Sequence, residues 1–388
     1  MSDIIYEECG IAGVCGNGDT VPDTLLALHA LQHRGQESAG VAVNNSGRIL
    51  CYKKMGLVSR VTQKIKNFDE YSGPVSIGHA RYSTTGFTNL VNSQPILVDY
   101  KDGQLAIAHN GNIVNAAQLR RQMEKNGSIF QSTNDSEIIL HLLARSRKRS
   151  LIEKLKESFK KLKGAFSLVL LNKDVLIASR DPLGIRPLCF GVRDDNSYVI
   201  ASETCALDIV NARYVRDIDP GEILVFRQGE PPVSHNYSKS RRSAHCVFEY
   251  IYFSRPDSRV FGQNVDKIRR FLGKKLAEES PVDADIVISV PDSSNTAALG
   301  YASESGIPFE IGLIRNHYVG RTFISPKQND RENKVKIKFN TVRGVLKGKR
   351  VVVVDDSIVR GTTLKKLVEL IKTAGTKEIH LRISSPPV

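Results

Sequence analysis

The sequence predicts two domains, an α+β domain of stacked sheets followed by an α/β domain built on a parallel sheet. Three observations support this prediction. At 388 residues the chain exceeds the usual size of a single hydrophobic core. The first half contains many short apolar runs bounded by turn residues, a pattern typical of layered sheets. The second half contains continuous apolar runs, each followed by a helix-like segment, which is typical of parallel strands buried on both faces.

In the first half, helical patterns lie between the predicted strands. Helices are expected at residues 24–32 and 116–125, and Asn134 with Glu137 three residues later is a start signal for a third helix. These helices are expected to cover the faces of the sheets. The predicted strands are residues 11–14, 40–43, 75–78, 105–108, 166–171, 175–178, 198–201 and 223–226.

A polar and basic stretch at residues 238–243 separates the two patterns. We therefore expect the first domain to comprise residues 9–240 and the second to comprise residues 241–388. In the second domain, residues 286–290 and 351–354 are the continuous apolar runs that predict buried parallel strands.

Composition excludes several classes of protein. Hydrophobic residues make up 41% of the chain and charged residues 25%, which is usual for a globular protein and excludes a disordered or collagen-like chain. No stretch approaches the roughly 18 uninterrupted apolar residues of a membrane span, and no signal-peptide core is present at the start. We therefore expect a cytoplasmic protein with no membrane partner. The six cysteines form no Cys-x-x-Cys pair, so reduced thiols are expected.

The net charge of +14 indicates an anionic partner or substrate. Nucleic acid, an anionic membrane surface and a polyphosphate substrate all fit this value. Residues 313–350 contain eleven Lys and Arg residues against two acidic ones, so most of the net charge lies in one segment. We expect this segment to face an anion.

Cys9 stands directly before small residues and a predicted strand, close to the start of the chain. If residues 1–8 are a propeptide that is removed, Cys9 gains a free α-amine with a pKa of about 7.7 to 8. That amine is basic enough to accept the proton of the thiol of the same residue. The alternative is a buried structural cysteine.

Polar clusters lie where predicted strands end, at residues 31–36, 78–86, 109–112 and 132–137. Together with Cys9 they resemble the class II glutamine amidotransferases, which use an N-terminal nucleophile and fold as an αββα sandwich. The resemblance implies that Cys9 attacks the side-chain amide of glutamine. It also implies that the Asn110 side chain and the Gly111 backbone N–H form an oxyanion hole, while Arg81 binds the α-carboxylate and Asp135 the α-ammonium group of the substrate.

Each of these residues also has a simpler interpretation. Asn110-Gly111 is a common hairpin turn, Asp135 favours the first turn of a helix, and Arg81 has the character of a surface charge. His33, His79 and His109 lack partners at metal-ligand spacing, so we expect no metal site there. The combination and order of the motifs favour the amidotransferase interpretation.

The most specific motif of the chain spans residues 351–363. Four valines predict a buried strand, and Asp355 and Asp356 follow at its carboxyl end, where ligands of open α/β sheets bind. A turn then leads into a helix start, whose backbone N–H groups suit a phosphate. The acidic side chains are expected to face ribose hydroxyls, directly or through Mg²⁺. The alternative is a plain strand followed by a helix capped by Asp or Ser.

This motif resembles the type I phosphoribosyltransferases, which implies 5-phosphoribosyl 1-pyrophosphate as the donor. Ser293 follows another predicted strand and would supply a further contact to Mg²⁺ beside Asp355 and Asp356; the alternative is that it caps the following helix. Within the basic segment, residues 316–324 resemble the mobile loop that closes over pyrophosphate in that family, with Gly320 as a hinge. The implied substrate contacts are Ser357, Arg360, Gly361, Thr362 and Thr363 of the motif and Arg321, Lys327 and Arg331 of the loop.

Glutaminase first and phosphoribosyl transfer second is the order of the glutamine phosphoribosylpyrophosphate amidotransferase family. The resemblance covers essentially the whole chain. It implies glutamine, 5-phosphoribosyl 1-pyrophosphate and Mg²⁺ as ligands, purine nucleotides as feedback inhibitors, and a homo-oligomer, by resemblance a tetramer. No nucleic acid partner is implied. Hexosamine-forming and asparagine-forming amidotransferases share the first half, but Asp355-Asp356 and Gly361-Thr362 argue against them. A phosphoribosyl-binding regulator without glutaminase activity is a further alternative.

Cys246 raises the question of an iron–sulfur cluster. Residues 245–250 resemble the branch of the family that carries a [4Fe-4S] cluster. In that branch, one ligand cysteine lies just before the segment equivalent to residues 249–253, and the others lie beyond the position equivalent to Pro387. A cubane needs about four thiolates, and the remaining cysteines all lie in the first domain. We therefore hypothesise that the sequence is truncated at its C-terminal end and does not assemble the cluster. Residues 379–383 predict a strand with nothing after it to cover it. The alternative is that Cys246 is a buried thiol in a cluster-free enzyme.

Overall fold

The computed structural model describes residues 9–65, 69–82, 89–173, 175–238, 242–316, 338–358 and 361–387. It divides into two compact units. The first comprises Met1–Glu249 and Ser258–Gly262, and the second comprises Tyr250–Asp257 and Gln263–Val388. The chain therefore leaves the first unit after Glu249, returns at Ser258 and leaves again after Gly262.

Two antiparallel sheets form the frame of the first unit. Their order is β11-β9-β10-β1-β4-β2-β3 in one sheet and β13-β12-β8-β7-β6-β5 in the other. The strands are β1 Gly10–Cys15, β2 Ser38–Asn45, β3 Arg48–Met55, β4 Val75–Arg81, β5 Ile96–Tyr100, β6 Gly103–Ile113, β7 Gly164–Asn172, β8 Val175–Arg180, β9 Cys189–Val192, β10 Tyr198–Ala201, β11 Arg213–Asp217, β12 Glu222–Arg227 and β13 Val233–Asn236.

Helices cover the outer face of each sheet. They are α1 Val21–Ala30, α2 Val58–Ile65, α3 Ala116–Lys125, α4 Glu137–Arg145, α5 Leu151–Phe159 and α6 Cys205–Asp208, with short 3₁₀ segments at Gln32–Arg34 and Leu90–Asn92. Helices α1, α2 and α6 pack on the sheet that contains β1, and α3, α4 and α5 pack on the sheet that contains β6.

The period-two alternation of the strands explains the layers. On β1, Ala12 and Val14 pack against the helices, whereas Ile11 and Cys15 pack between the two sheets. On β6, Ile107 likewise packs against the helices, and Ala108 packs between the two sheets. The arrangement is helix, sheet, sheet, helix, so the predicted αββα sandwich is confirmed.

All eight predicted strands of the first half lie within observed strands, and the predicted helix at residues 116–125 coincides with α3. The helix predicted at residues 24–32 begins earlier, at Val21, because Pro22 suits the first turn of a helix. The predicted capping at Asn134 is wrong, since Ser136 is the N-cap of α4 and the Asn134 side chain accepts a hydrogen bond from the backbone N–H of Ser136.

The second unit contains a parallel three-stranded sheet of order β16-β19-β20. In chain order the elements from Glu249 onward are a π-helix Glu249–Phe253, β14 Arg259–Val260, β15 Gln263–Asn264, α7 Val265–Glu279, β16 Ile286–Ser289, α8 Asn295–Ser305, β17 Leu313–Arg315, β18 Phe339–Thr341, α9 Arg343–Leu346, β19 Arg350–Asp355, α10 Thr362–Thr373 and β20 Glu378–Ile383.

Strand β19 is the centre of this sheet. Val351 to Val354 are fully buried, with alternate side chains packing into two apolar clusters on opposite faces. Ile286 lies beside Val351 in the parallel register. The predicted parallel strands at residues 286–290, 351–354 and 379–383 are thereby confirmed. Strand β20 is an edge strand whose side chains are half-exposed or exposed. Among the described residues, no helix has both the length and the apolar character that a membrane crossing requires.

Candidate active sites

Cys9 lies directly before β1 and is buried. Its Sγ is 3.5 Å from the backbone carbonyl oxygen of Tyr82. Strand β1 pairs with β4 so that Gly10 faces Ala80, and continuing this register by one residue puts Arg81 next to Cys9. Arg81 is 2% exposed, so the interpretation as a surface charge is wrong. The sheet therefore brings the predicted nucleophile and the predicted carboxylate-binding arginine together.

The side chain of Asn110 lies beside Cys9. The backbone N–H of Cys9 donates to Asn110 Oδ1 over 3.4 Å, which identifies Nδ2 as the other, donating atom of the amide. Nδ2 is buried and has no acceptor among the described residues. A buried donor without a partner costs free energy unless a bound group accepts from it. This atom is therefore suited to receive an oxyanion that forms beside Cys9.

Gly111 follows within the same strand. Because β6 runs from Gly103 to Ile113, Asn110 and Gly111 lie inside a strand, and the hairpin-turn interpretation is wrong. Gly111 has φ +152°, and a Cβ atom there would lie 2.1 Å from the carbonyl oxygen of Ala165 on β7. Only glycine fits this close approach of two backbones.

Asp135 reaches the same strand from the start of α4. Its Oδ2 accepts a hydrogen bond from the backbone N–H of Ile113 over 2.8 Å, and its Oδ1 lies 3.9 Å from His109 Nδ1. The side chain is thus directed to β6 rather than to the helix that follows it. Asp135 and Asn110 therefore share one strand end, as the predicted glutamine site requires.

Two buried histidines support this strand end. His79 Nε2 donates to the backbone carbonyl oxygen of His109 over 3.0 Å, and His109 Nδ1 is 2.8 Å from Ser136 Oγ. Burial lowers the pKa of His79 to about 3 and also lowers the pKa of His109. Burial thus favours the neutral form of both rings, and their hydrogen bonds connect β4, β6 and the start of α4.

A buried charge cluster beside Cys9 was not predicted. Arg34 Nε donates to the backbone carbonyl oxygen of Cys9 over 3.0 Å, and its guanidinium pairs with Glu203 and Glu249. The sequence motif at residues 31–36 contained Arg34, but its carboxylate partners lie 169 and 215 residues away. A spacing pattern cannot identify partners at that separation.

The second candidate site lies at the carboxyl end of β19. Because β16 and β19 are parallel, their carboxyl ends share one edge of the sheet. Ser294 Oγ donates to Asp355 Oδ1 over 3.1 Å, and Ser293 Oγ donates to Asp356 Oδ2. Ser293 therefore does not cap the following helix, since the N-cap of α8 is Ser294.

Burial raises the pKa of Asp355 to about 6, and the neighbouring charge of Asp356 adds to the shift. Two adjacent carboxylates are a donor set that suits a hard divalent cation. The predicted Mg²⁺ residues Ser293, Asp355 and Asp356 therefore lie together, and their chemistry fits the ion.

The turn after Asp356 leads to α10. Ser357 Oγ donates to Asp356 Oδ1 over 2.6 Å. Gly361 is the N-cap of α10 with φ +68°, a conformation that glycine adopts without strain, so a helix capped by Asp or Ser is wrong. The predicted contacts Arg360, Arg321, Lys327 and Arg331, the predicted hinge Gly320 and residues 1–8 lie outside the described residues, as do the side chains of Thr362 and Thr363.

Cys246 is half-buried, and Arg186 Nη1 lies 3.6 Å from its Sγ. Burial raises the pKa of this thiol. None of the six cysteines forms a disulfide in the structure. Within the described ranges, no group of three or more His, Cys, Asp or Glu side chains is placed to hold a metal ion. Cys246 alone therefore does not constitute the ligand set of a cluster.

Models of two protein families match the chain. The glutamine amidotransferase domain matches residues 79–208, and the phosphoribosyl transferase domain matches residues 262–384. Together with the two sites, these matches define the class of protein, a glutamine amidotransferase joined to a phosphoribosyl transferase.

Relatives over nearly the full length identify the family. Amidophosphoribosyltransferase 1, chloroplastic, of Arabidopsis thaliana is 50% identical over 98% of this chain and 67% of its own length. The amidophosphoribosyltransferase of Bacillus subtilis is 48% identical over 99% of this chain and 80% of its own length. The chain belongs to the amidophosphoribosyltransferase family.

Two solved structures share the fold over 98% of this chain. One is described as the allosteric regulatory enzyme of purine biosynthesis, with a TM-score of 0.92 and 48% identity over 98% of this chain and 81% of its own. The other is the glutamine phosphoribosylpyrophosphate amidotransferase of B. subtilis complexed with ADP and GMP, with a TM-score of 0.91 and 47% identity over 98% and 82% of the two chains. The order of the two domains is therefore that of the family.

Proposed function

We propose that this chain transfers ammonia from glutamine to 5-phosphoribosyl 1-pyrophosphate, giving 5-phosphoribosylamine, glutamate and pyrophosphate. This is the first committed step of purine synthesis. The observation that carries the proposal is that one chain contains both sites. In the first, Cys9 is buried beside Asn110, whose Nδ2 has no acceptor among the described residues. In the second, Asp355 and Asp356 lie at the end of a parallel strand. We assign the glutaminase reaction to residues 9–240 and phosphoribosyl transfer to residues 241–388.

The first half-reaction uses Cys9 as nucleophile. We infer that removal of residues 1–8 frees its α-amine, which accepts the thiol proton as Sγ attacks the amide carbon of glutamine. Asn110 Nδ2 and the Gly111 N–H then donate to the developing oxyanion. The protonated α-amine returns its proton to the amide nitrogen, so that ammonia leaves as the thioester forms. Water then hydrolyses the thioester to glutamate and the free thiol.

Charged groups on either side of the nucleophile orient the substrate. Arg81 pairs with the α-carboxylate of glutamine, and Asp135 pairs with its α-ammonium group. The buried position of both side chains supports this assignment, because charges held in a low dielectric discriminate strongly between a zwitterion and other amides.

The second half-reaction takes place at the end of β19. Ser293, Asp355 and Asp356 would hold Mg²⁺, which supplies charge neutralisation for the pyrophosphate leaving group. Ser357, Arg360, Gly361, Thr362 and Thr363 would bind the 5-phosphate, with Arg321 on the pyrophosphate. Ammonia attacks C1 of the ribose, the bond from C1 to the pyrophosphate oxygen breaks, and the attacking nitrogen loses a proton.

Regulation and assembly follow the family. The B. subtilis relative binds ADP and GMP, and we propose that purine nucleotides inhibit this chain as well. We also propose a homo-oligomer. A [4Fe-4S] cluster with Cys246 as one ligand stays a prediction that requires further thiolates.

The proposal is tested by measuring pyrophosphate release with both substrates, with each substrate omitted, and with Mg²⁺ removed by chelation. Release is expected only when 5-phosphoribosyl 1-pyrophosphate, Mg²⁺ and either glutamine or ammonia are present. Glutamate should form in equal amount when glutamine is the donor. Release that does not depend on a nitrogen donor would contradict the proposal.

A further inference from the structure

Four charged side chains form a fully buried cluster in the first unit. Arg34, Glu203 and Glu249 each have 0% exposure, and Arg186 has 2%. Arg34 Nη1 donates to Glu203 over 2.7 Å and to Glu249 over 2.9 Å, while Nη2 donates to Glu249 over 2.8 Å. Arg186 donates to the same Glu249 carboxylate over 3.2 Å. Ion pairs of this kind are rarely retained for stability alone, because an apolar cluster of equal size is often as stable.

The third nitrogen of Arg34 connects this cluster to the nucleophile. Nε donates to the backbone carbonyl oxygen of Cys9 over 3.0 Å, so all three guanidinium nitrogens are used. The planar fork of arginine fixes these three directions relative to one another. The position of the two carboxylates therefore determines the position of the Cys9 carbonyl group.

The charges of the cluster persist over the working pH range. Burial opposes ionisation of Glu203 and Glu249, but Arg34 and the other cationic partners outweigh it and lower the pKa of both carboxyls. The same pairing raises the pKa of Arg34 despite its burial. Groups that contact the cluster include His33, 2.7 Å from Glu203, and Ser258, which donates to Glu203 over 2.7 Å. The thiols of Cys205 and Cys246 lie 3.8 Å from Glu203 and 3.6 Å from Arg186.

We propose that Glu203 and Glu249 are positioning residues for the glutaminase reaction, acting through Arg34 on the backbone of Cys9. This inference rests on the proposed function of Cys9. Glu249 is the last residue before the chain first leaves this unit, and Ser258 is where it returns. Glu249 is thus at the first point where the chain leaves this unit, and Glu203 accepts a hydrogen bond from Ser258, where the chain returns.

The test compares Glu249→Gln with a matched control, Glu222→Gln. Glu222 is also buried and also accepts two hydrogen bonds from one arginine, Arg216, over 2.8 Å each, but it joins β11 and β12 and has no contact with Cys9. Both variants lose an ion pair of a buried glutamate, although Arg216 is 38% exposed and Arg34 is fully buried, so thermal unfolding of each variant is measured beside its activity. Glu249→Gln is expected to lower kcat for glutamine hydrolysis roughly 10- to 100-fold, with KM for glutamine changed less than about 3-fold. Ammonia-dependent synthesis should stay within about 2-fold of the wild type.

The measurements are glutamate release from glutamine, ammonia-dependent pyrophosphate release and thermal unfolding of each purified variant. Equal kcat for Glu249→Gln and Glu222→Gln would overturn the inference. If Glu249→Gln does not fold, Ser258→Ala provides the test, because it removes one hydrogen-bond donor to Glu203. The kcat of this variant is expected to fall about 2- to 5-fold. An unchanged kcat would overturn the inference. A wild type that releases no glutamate would overturn the proposed function together with this inference. An active wild type with unaffected variants overturns the inference alone.

Discussion

Replacing Asn110 with alanine removes the amide group that lies beside Cys9. In the structure this side chain is fully buried, its Oδ1 accepts one long hydrogen bond of 3.4 Å from the Cys9 N–H, and its Nδ2 has no acceptor among the described residues. The variant therefore loses little in the resting enzyme. It loses a donor that is used only when an oxyanion forms, so the effect should appear in kcat rather than in KM.

The expected size follows from these contacts. Removing one preorganised oxyanion donor typically lowers kcat about 10²- to 10³-fold, or about 2.7 to 4 kcal/mol of transition-state stabilisation. The free energy of unfolding should change by only about 1 kcal/mol, because the substitution removes a buried donor that has no partner along with one weak bond. Catalysis is thus expected to lose more than stability does.

The assay is glutamate release from glutamine, with ammonia-dependent pyrophosphate release as an internal control. Asn172→Ala is a matched variant, since the Asn172 amide on β7 donates to the backbone carbonyl oxygen of Gln104 over 2.7 Å and lies outside the site. This control should keep kcat within about 2-fold. A Asn110→Ala enzyme that retains more than a tenth of the wild-type kcat would refute the assignment of Nδ2 to the oxyanion.

Two further substitutions test the backbone and the acidic pair. Gly111→Ala should lower the free energy of unfolding, measured with denaturant, by roughly 2 to 4 kcal/mol, because its Cβ would lie 2.1 Å from the Ala165 carbonyl oxygen. Gly344→Ala is the control. Its Cβ would enter open space, so its free energy of unfolding should be nearly unchanged. Asp355→Asn should abolish use of 5-phosphoribosyl 1-pyrophosphate while raising stability at pH 7. The raised pKa of Asp355, about 6, means that the folded state binds a proton more tightly than the unfolded chain, so stability decreases as pH rises from about 4 to 6. The gain from Asp355→Asn should be about 1 to 3 kcal/mol at pH 7 and should vanish below pH 4; a gain that is independent of pH would contradict this account.

The sequence predicts the interior strands well and the edge strands poorly. Strands such as β1 and β7 are buried along nearly their whole length and appear as apolar runs. In the two large sheets of the first unit, the described residues include five strands that were not predicted, and four of them, β3, β5, β11 and β13, are the outer strands. Edge strands expose one side to solvent and carry charged residues, so their apolar pattern is interrupted.

The candidate sites also differ in how well the sequence predicts them. Asp355 and Asp356 follow a continuous apolar strand within one short motif, so local sequence identifies them and the structure adds only Ser294 as a partner. The charge cluster around Arg34 is different, because its members come from segments far apart in the chain. Buried Arg and Glu residues have no sequence pattern that distinguishes them from surface charges, and only the three-dimensional structure shows that they meet.

The central claim is that one chain contains a glutaminase at Cys9 and a separate site for phosphoribosyl transfer. The measurement that tests it most directly is pyrophosphate release by Cys9→Ala with glutamine and with ammonia, beside Cys51→Ala as a control. Burial raises the pKa of Cys51 to about 11, so that residue is an unreactive thiol at neutral pH, and its variant should retain both activities. Cys9→Ala is expected to lose glutamine-dependent release and to keep ammonia-dependent release within about 2-fold. Retained use of glutamine, or loss of both activities in a protein with unchanged thermal unfolding, would contradict the account.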